Sequence, residues 1–335
     1  MRKFAIIGCG RIAERHALQI SRMAKLLAVC DIDIEKAKSL ANLYNASYFD
    51  NAEAMLEAFP EIEIVSICTP NYLHTEHSIL ALNYGKHVLC EKPLAINVTD
   101  AQKMIEVAHF NNKKLFVVKQ NRYNPPIVAL KSLLNDNKLG KIHSFQINCF
   151  WNRPAEYYIS SWKGKIELDG GTLFTQFSHF IDLLFWLLGD VKSAKANISN
   201  FQHADIDIED AGVILFEMIS GAIGTMNYNV NTYKKNMEGS ITLFGDKGTI
   251  KIGGQYLNTI EYQSIEGLQI DVNEMGNPAN DYGFYQGSMS NHDIVYENLL
   301  KAIDETDSQF ASAHEGLKTV EIIEMIFEAA SKNTR

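Results

Sequence analysis

The chain begins with a short apolar run, Phe4-Ala5-Ile6-Ile7, that leads straight into Gly8-Cys9-Gly10-Arg11-Ile12-Ala13 and then into a helical pattern. A strand ending in G-x-G-x-x-A at the mouth of a helix leaves few folds open. The first glycine permits a tight turn, the second lets a ligand approach bare backbone, and the small last residue lets helix and sheet pack closely. The N–H groups at such a helix N-terminus suit an anionic pyrophosphate. Any strand-to-helix turn can carry the motif by chance, so its position after the first strand matters more than its letters. Asp31, at the end of the second strand pattern, adds a carboxylate where an adenosine ribose would offer its hydroxyls. The turn continues Asp31-Ile32-Asp33-Ile34-Glu35. Its acids repel a ribose 2'-phosphate, which favours NAD over NADP, although Asp33 and Glu35 also suit an ordinary first helical turn.

Short β-branched runs alternate with amphipathic segments through the first 120 or so residues. Strands are expected at Phe4 to Ile7, Leu26 to Cys30, Ile64 to Ile67, His87 to Leu89 and Leu115 to Val118. Helices are expected at Ile34 to Leu43, Leu73 to Tyr84 and Ala101 to Phe110, the last behind a Thr99-x-x-Gln102 capping box. This is the pattern of an α/β Rossmann domain, a doubly wound parallel sheet covered on both faces. After Asn124-Pro125-Pro126 the texture changes. Strand patterns at Ile142 to Trp151, Val213 to Met218, Ile223 to Val230, Ser240 to Phe244 and Thr249 to Ile252 are separated by turns such as Ser220-Gly221 and Gly245-Asp246-Lys247-Gly248. Helices are expected at Thr172 to Leu188, Ser288 to Ile303 and Leu317 to Ala330. The second domain is therefore expected to be α+β with a largely antiparallel open sheet. The expected division is 1–121 for the dinucleotide domain and 122–335 for substrate binding and oligomerisation.

At 335 residues the chain is long enough for two cores. A formal charge of -9 speaks against nucleic acid or an anionic membrane as partner. No stretch approaches the roughly 20 apolar residues of a membrane span. Five cysteines without a C-x-x-C pair indicate neither a disulfide framework nor a metal site, and a reducing cytoplasm is the expected compartment.

Two further blocks, Cys68-Thr69-Pro70-Asn71-Tyr72-Leu73-His74 and Glu91-Lys92-Pro93, each follow a core strand. With the glycine motif, Trp162, Gly170-Gly171 and His179-x-x-Asp182, they resemble the Gfo/Idh/MocA oxidoreductases, NAD(P)-dependent enzymes acting mostly on sugars and cyclitols. The resemblance spans essentially the whole chain. It implies a cofactor site of Gly8, Gly10, Arg11, Ile12, Asp31, Ile32, Thr69, Pro70, Asn71, His74, Glu91, Lys92, Gln120 and Trp162, with Thr69, Asn71 and His74 on the nicotinamide side. Glu91 and Lys92 are implied where cofactor meets substrate, and the Lys92-Pro93 bond is implied to be cis. Longer blocks, Val118 to Pro125, Phe150 to Pro154 and Lys234 to Gly248, are similar to the UDP-N-acetyl-2-amino-2-deoxyglucuronate dehydrogenases, which oxidise C3 of a nucleotide-linked uronic acid in surface-polysaccharide (lipopolysaccharide) synthesis. A homo-oligomer, dimer or tetramer, is implied with them. Inositol-dehydrogenase relatives carry an Asp four positions before the catalytic His. Here Thr175 stands there, which weakens the inositol reading.

Oxidising a secondary alcohol needs a hydride acceptor and a base aligned on one carbon. The residues proposed for catalysis are His179 as base and Lys92 as the ammonium that stabilises the developing alkoxide, with a desolvated Lys92 as the alternative base. Thr175, His179, Asp182 and Trp186 share one stripe of the Thr172 to Leu188 helix, and periodicity alone reads that stripe as a solvated face. A nucleotide-linked uronate carries a diphosphate and a carboxylate. Its pocket therefore needs cations, and Arg122 and Arg153 are favoured over Lys163, Lys165, Lys234 and Lys235 because a guanidinium can grip an oxyanion with two bonds. The substrate site is thus expected to include Lys92, Arg122, Arg153, Thr175 and His179. The competing readings are another NAD-linked sugar or inositol dehydrogenase and a non-catalytic NAD-binding sensor.

Overall fold

The computed structural model describes all residues except 160, 273–275, 284, 305–310 and 333–335. The chain forms two compact units. The first holds Met1–Lys119, Glu167–Gly170 and His292–Val320; the second holds Gln120–Ile166, Gly171–Asn291 and the chain from Glu321 onward. The first crossing lies close to the expected boundary at residue 121. The two segments that return to the first unit carry no signal in a linear reading.

In the first unit, strands β1 (Lys3–Ile7), β2 (Lys25–Cys30), β3 (Ser47–Phe49), β4 (Ile64–Ile67), β5 (His87–Cys90) and β6 (Leu115–Val117) form one sheet. Their order is β3-β2-β1-β4-β5-β6 and every pairing is parallel. Helices α1 (Ala13–Met23), α2 (Ile34–Tyr44), α3 (Ala52–Ala58), α4 (His74–Asn83) and α5 (Val98–Phe110) connect them. All four residues of β4 are buried, as in a strand covered on both faces. The order reverses direction between β1 and β4, so a crevice opens at their carboxyl ends, where Gly8 and Thr69 lie. The short β3 and α3 were not expected, because three and seven residues are too few for a periodicity to stand out. Nor is Thr99-x-x-Gln102 the cap of α5. That helix starts earlier, with the Asn97 side chain accepting from Asp100 N at 2.8 Å.

The second unit begins with α6 (Pro125–Asn135), which has prolines at its first positions, where a missing N–H costs nothing. Two further helices follow, the short α7 (Ile166–Asp169), most of which belongs to the first unit, and α8 (Ser178–Leu188). The sheet comprises β7 (Ile142–Phe150), β8 (Val191–Ser199), β9 (Ala211–Met218), β10 (Ile223–Asn229), β11 (Glu238–Gly245), β12 (Gly248–Gly253) and β13 (Thr259–Ile265). Its order is β13-β12-β11-β7-β10-β9-β8. All pairs are antiparallel except β7 with β10, which run parallel. The Phe177 ring packs tilted and the Phe180 ring edge-on against Trp151, at 5.3 and 5.9 Å, which fixes the start of α8 against this sheet.

A helix was expected from Ser288, but Ser288 and Met289 belong to a two-stranded ladder of β14 (Ala279–Asp281) and β15 (Gln286–Met289). The helix α9 (His292–Asp304) starts after it and lies in the first unit. The last helix, α10 (Ala313–Lys332), contributes its first part to that unit and the rest to the second. Among the described residues no helix is long and apolar enough to cross a membrane.

Candidate active site

The glycine loop is held from both sides. Gly8 sits at φ +93°, and a Cβ there would meet the Cys68 carbonyl carbon and Thr69 N at 2.6 Å. Gly10 is the opposite case, since a Cβ there would find nothing within 4 Å. The first glycine thus serves the fold, while the second faces open space in which a ligand can lie against the main chain. No side chain caps the N-terminus of α1 at Ile12, which leaves the positive end of that helix open to an anion. The Asp31 carboxylate braces the loop, accepting from Cys9 N at 2.7 Å through Oδ2 and from Asp33 N at 2.8 Å through Oδ1. Arg11 and Ile32 are exposed and Ile12 is half-buried at the edge of this crevice. These residues fit a dinucleotide.

The other expected cofactor residues of the first unit are largely braces. The Asn71 amide donates to Asp169 O at 2.9 Å and so ties the returning Glu167–Gly170 segment to the end of β4. His74 is buried between two carbonyls, with Nδ1 2.6 Å from Pro93 O and Nε2 3.0 Å from Thr69 O. Burial pushes its imidazole pKa down against the pull of those carbonyls. It therefore links the loop after β4, containing Thr69 and Pro70, to the Glu91-Lys92-Pro93 turn. The Thr69 hydroxyl lies 3.2 Å from His77 Nδ1. The Lys92-Pro93 bond is cis, and the Lys92 side chain is half-buried.

Glu91 is turned into the protein, where its carboxylate meets His16 and His292, two residues absent from the sequence reading. Neither had a signal. His16 occupies the inner face of α1 and His292 the start of α9, and both look in sequence like incidental histidines. Gln120 and Trp162 belong to the second unit.

In the second unit, the stripe that periodicity assigns to solvent is interior. Thr175, His179 and Asp182 are 8%, 4% and 2% exposed. The cause is local. Leu173–Phe177 forms a π-helical turn that enters α8, and such turns cluster at functional sites. Gly171 opens it at φ +123°, with a would-be Cβ 2.8 Å from the Phe327 ring and 2.9 Å from Glu209 Oε2. The Glu209 carboxylate accepts from Leu173 N at 3.0 Å, and its carbonyl accepts from the Thr172 hydroxyl. A buried anion thus sits at the positive end of the helix that carries His179. The Gln120 amide nitrogen lies 3.4 Å from His179 Nε2.

The two arginines expected to hold substrate anions differ. Arg122 is committed to Asp182, with Nε to Oδ2 at 2.8 Å and Nη2 to Oδ1 at 2.7 Å, both side chains buried. Its charge is answered within the protein by the Asp182 carboxylate. Arg153 is 1% exposed, and among the described residues no carboxylate pairs with it. Its Nε donates to Gln176 Oε1 at 2.8 Å, and its Nη1 donates to Asn152 O at 2.6 Å and Asn236 Oδ1 at 3.3 Å. The rings of Trp151, Tyr157 and Tyr285 surround it at 5.1, 5.5 and 4.9 Å. Burial lowers its pKa, opposed by nearby tyrosines. Gln176, which holds Arg153, stands one turn before His179 on the same helical run. Lys163 stacks on Tyr157 and Trp162, while Lys165, Lys234 and Lys235 are exposed.

Residues 2–119 match the family described as "Oxidoreductase family, NAD-binding Rossmann fold", and residues 131–335 match its "C-terminal alpha/beta domain". The WlbA dehydrogenase of Chromobacterium violaceum, solved in complex with NADH and UDP-GlcNAcA, is 34% identical with a TM-score of 0.91, over 99% of this chain and 94% of that one. The WlbA dehydrogenase of Bordetella pertussis, in complex with the same two molecules, is 31% identical with a TM-score of 0.88, over 99% and 97%. Glucose-6-phosphate 3-dehydrogenase of Bacillus subtilis is 26% identical over 99% of this chain and 97% of its own length. With two family matches that together span nearly all of a fold whose glycine crevice fits a dinucleotide, the chain belongs to the Gfo/Idh/MocA family of NAD-dependent oxidoreductases.

Proposed function

We propose that the protein oxidises the C3 hydroxyl of UDP-N-acetyl-2-amino-2-deoxyglucuronate, giving a 3-keto sugar suited to later transamination. The observation that carries this reading is the buried Arg153 guanidinium, which has no acidic partner among the described residues and is held by Gln176, one helical turn before His179. A buried cation with only neutral and aromatic neighbours is stabilised by an incoming anion, and a uronate carboxylate or a diphosphate supplies one. Free-sugar substrates offer no such group. The ligands of the two WlbA structures, NADH and UDP-GlcNAcA, support the same class.

In this reading NAD, when bound, supplies the hydride acceptor. His179 accepts the proton of the C3 hydroxyl, and Lys92 stabilises the alkoxide that forms as it leaves. Arg153 holds the carboxylate and thereby the register of the ring. Thr175, in the π-helical turn before His179, donates to the sugar. The half-exposed Val213, Leu215 and Tyr262 on the outer sheet face support a homo-oligomer, which light scattering would measure.

The test is turnover of the purified protein with NAD and a panel of alcohols. NADH should form with the UDP-uronate. Lys92→Ala and His179→Ala should each lower kcat by about a thousandfold or more with NAD binding retained. Arg153→Leu should raise KM for the uronate and leave that for UDP-N-acetylglucosamine, a poor substrate that keeps the diphosphate but lacks the carboxylate, unaffected. Wild-type turnover of free sugars or inositol alone would remove the nucleotide-sugar reading. Tight NAD binding without hydride transfer to any alcohol would leave a sensor.

A further inference from the structure

Behind the Glu91-Lys92-Pro93 turn lies a polar chain that the reaction just described does not use. His16 Nε2 and His292 Nε2 both point at Glu91 Oε1, at 2.9 and 3.4 Å. The other carboxylate oxygen, Oε2, accepts from Lys92 N at 3.1 Å. His16 Nδ1 lies 2.8 Å from the Tyr296 hydroxyl, which lies 2.8 Å from the Ser66 hydroxyl. His16, Glu91, His292, Tyr296 and Ser66 are all buried, and they come from α1, the end of β5, α9 and the central strand β4.

The donors and acceptors resolve in one direction. The carboxylate can only accept, so each ring places its Nε2–H on Oε1. That leaves His16 Nδ1 as an acceptor for the Tyr296 O–H, and the tyrosine oxygen as an acceptor for Ser66. Among the described residues His292 Nδ1 is buried without a partner, which a bare acceptor tolerates better than an orphaned N–H. Burial alone would raise the Glu91 carboxyl, but the hydrogen bonds from His16 and His292 outweigh it and hold the group well below the usual carboxylate range. Burial pushes the His16 imidazole down, so it serves as a neutral donor. The result is one buried anion with three N–H donors, the third being the main chain of Lys92.

We propose that His16 and His292 are positioning residues for Lys92: they pin the Glu91 carboxylate, and its free oxygen pins the Lys92 backbone, so the lysine is set by α1 and α9 before any sugar arrives. Glu91 then acts as an internal clamp, which departs from the place beside the cofactor that family resemblance implies. Precise placement of an ammonium against an alcohol oxygen matters because a displacement on the order of 1 Å can cost about a hundredfold in rate. The proposal rests on the reading of Lys92 as a catalytic group.

Full-length His292→Leu and His292→Gln decide it. The leucine removes the N–H donor, while the glutamine amide replaces it. His292→Leu should lower kcat by about tenfold or more, with whichever sugar the wild type turns over, while the Kd for NAD changes by less than about twofold. His292→Gln should recover most of that loss. A second readout needs no sugar. The rate at which acetic anhydride acetylates Lys92, followed by mass spectrometry, should change by about threefold or more in His292→Leu, with Lys165 and Lys235 labelling as before. If His292→Leu does not fold, the near-isosteric Glu91→Gln asks the same question through both readouts.

Unchanged kcat together with unchanged Lys92 labelling overturns the proposal. So does a Kd for NAD that rises in step with the kinetic loss, because Glu91 would then be a cofactor ligand. The facing atoms of His16, Glu91 and His292 lie within 4.8 Å of one another, so metal content is measured as well. One equivalent of zinc in the wild type, lost in His292→Leu, would overturn the clamp in favour of a metal site. Full turnover by Lys92→Ala would sink the catalytic role of Lys92, and the labelling rate would still report whether the clamp exists.

Discussion

Arg122 and Asp182 form a buried fork, two parallel hydrogen bonds of 2.8 and 2.7 Å that join the segment after β6 to the helix carrying His179. The guanidinium also lies 5.2 Å from the centre of the Trp186 ring, one turn further along. An ion pair taken out of water gains little over an apolar pair of the same shape, but either half left alone is an uncompensated buried charge. Asp182→Ala or Arg122→Ala should therefore destabilise the protein by about 3–5 kcal/mol in urea titrations. The double variant Arg122→Met, Asp182→Leu should lose much less. Equal losses from the single and double variants would show that the pair itself, rather than the orphaned charge, matters.

Gly8 and Gly10 separate a requirement of the fold from a requirement of the ligand. Gly8→Ala drives a Cβ onto the Cys68 and Thr69 backbone at 2.6 Å, in a conformation that L side chains rarely adopt. It should lower Tm by several degrees and weaken NAD binding as a consequence. Gly10→Ala meets no protein atom within 4 Å, so Tm should stay within about 1 °C while the Kd for NAD rises about tenfold or more. Scanning calorimetry and fluorescence titration of the two variants check this. A Gly10→Ala protein that binds NAD normally would mean that the cofactor does not approach the loop there.

Much of the first unit is legible in the sequence because its strands are unbroken apolar runs and its crevice is announced by Gly8, Gly10 and Asp31. The second unit is less so. The edge strands β8 and β13 alternate too weakly to be read, and the parallel β7–β10 pairing is a long-range fact with no local trace. Site residues divide the same way. His179 and Lys92 could be named from motifs, whereas Gln176, Asn236 and Tyr285 around Arg153 are ordinary polar and aromatic residues in sequence. The solvated-face reading of Thr175, His179 and Asp182 fails because amphipathic periodicity assumes one apolar neighbour, and this helix is enclosed on all sides.

His87 should make the protein acid-sensitive. Its Nδ1 accepts the Lys114 backbone N–H at 3.0 Å, a role that a protonated ring cannot keep. Burial, with help from the charges of Lys113, Lys114 and Arg2, lowers its pKa from 6.5 to about 4. The folded state therefore binds this proton later than the unfolded state does. The destabilisation is absent above about pH 6.5, grows as pH falls through that value, and levels off below about 4. In His87→Asn the amide oxygen can accept the same N–H without titrating, so Tm should fall less between pH 6.5 and pH 4 than in the wild type. Parallel Tm curves for the two proteins across that window would rule the assignment out.

Cofactor choice should turn on Asp31. Its carboxylate is held in place by the Cys9 and Asp33 N–H groups, and acceptor capacity remains on both oxygens for the ribose hydroxyls of NAD. A 2'-phosphate would face that fixed anion. The neighbouring acids are partly answered, Asp33 by Lys36 at 3.0 Å and Glu35 by Lys38 at 2.7 Å, so the repulsion expected of three acids falls mainly on one. NADP should accordingly be used at least about a hundredfold less efficiently than NAD, in kcat/KM with any sugar that is turned over. Asp31→Ser should narrow that ratio by about tenfold or more, chiefly through better use of NADP, because the fixed anion is gone and Lys36 remains nearby to face the phosphate. Asp33→Ser should change it little. If both variants shift the ratio equally, discrimination comes from the summed charge of the turn rather than from the braced carboxylate.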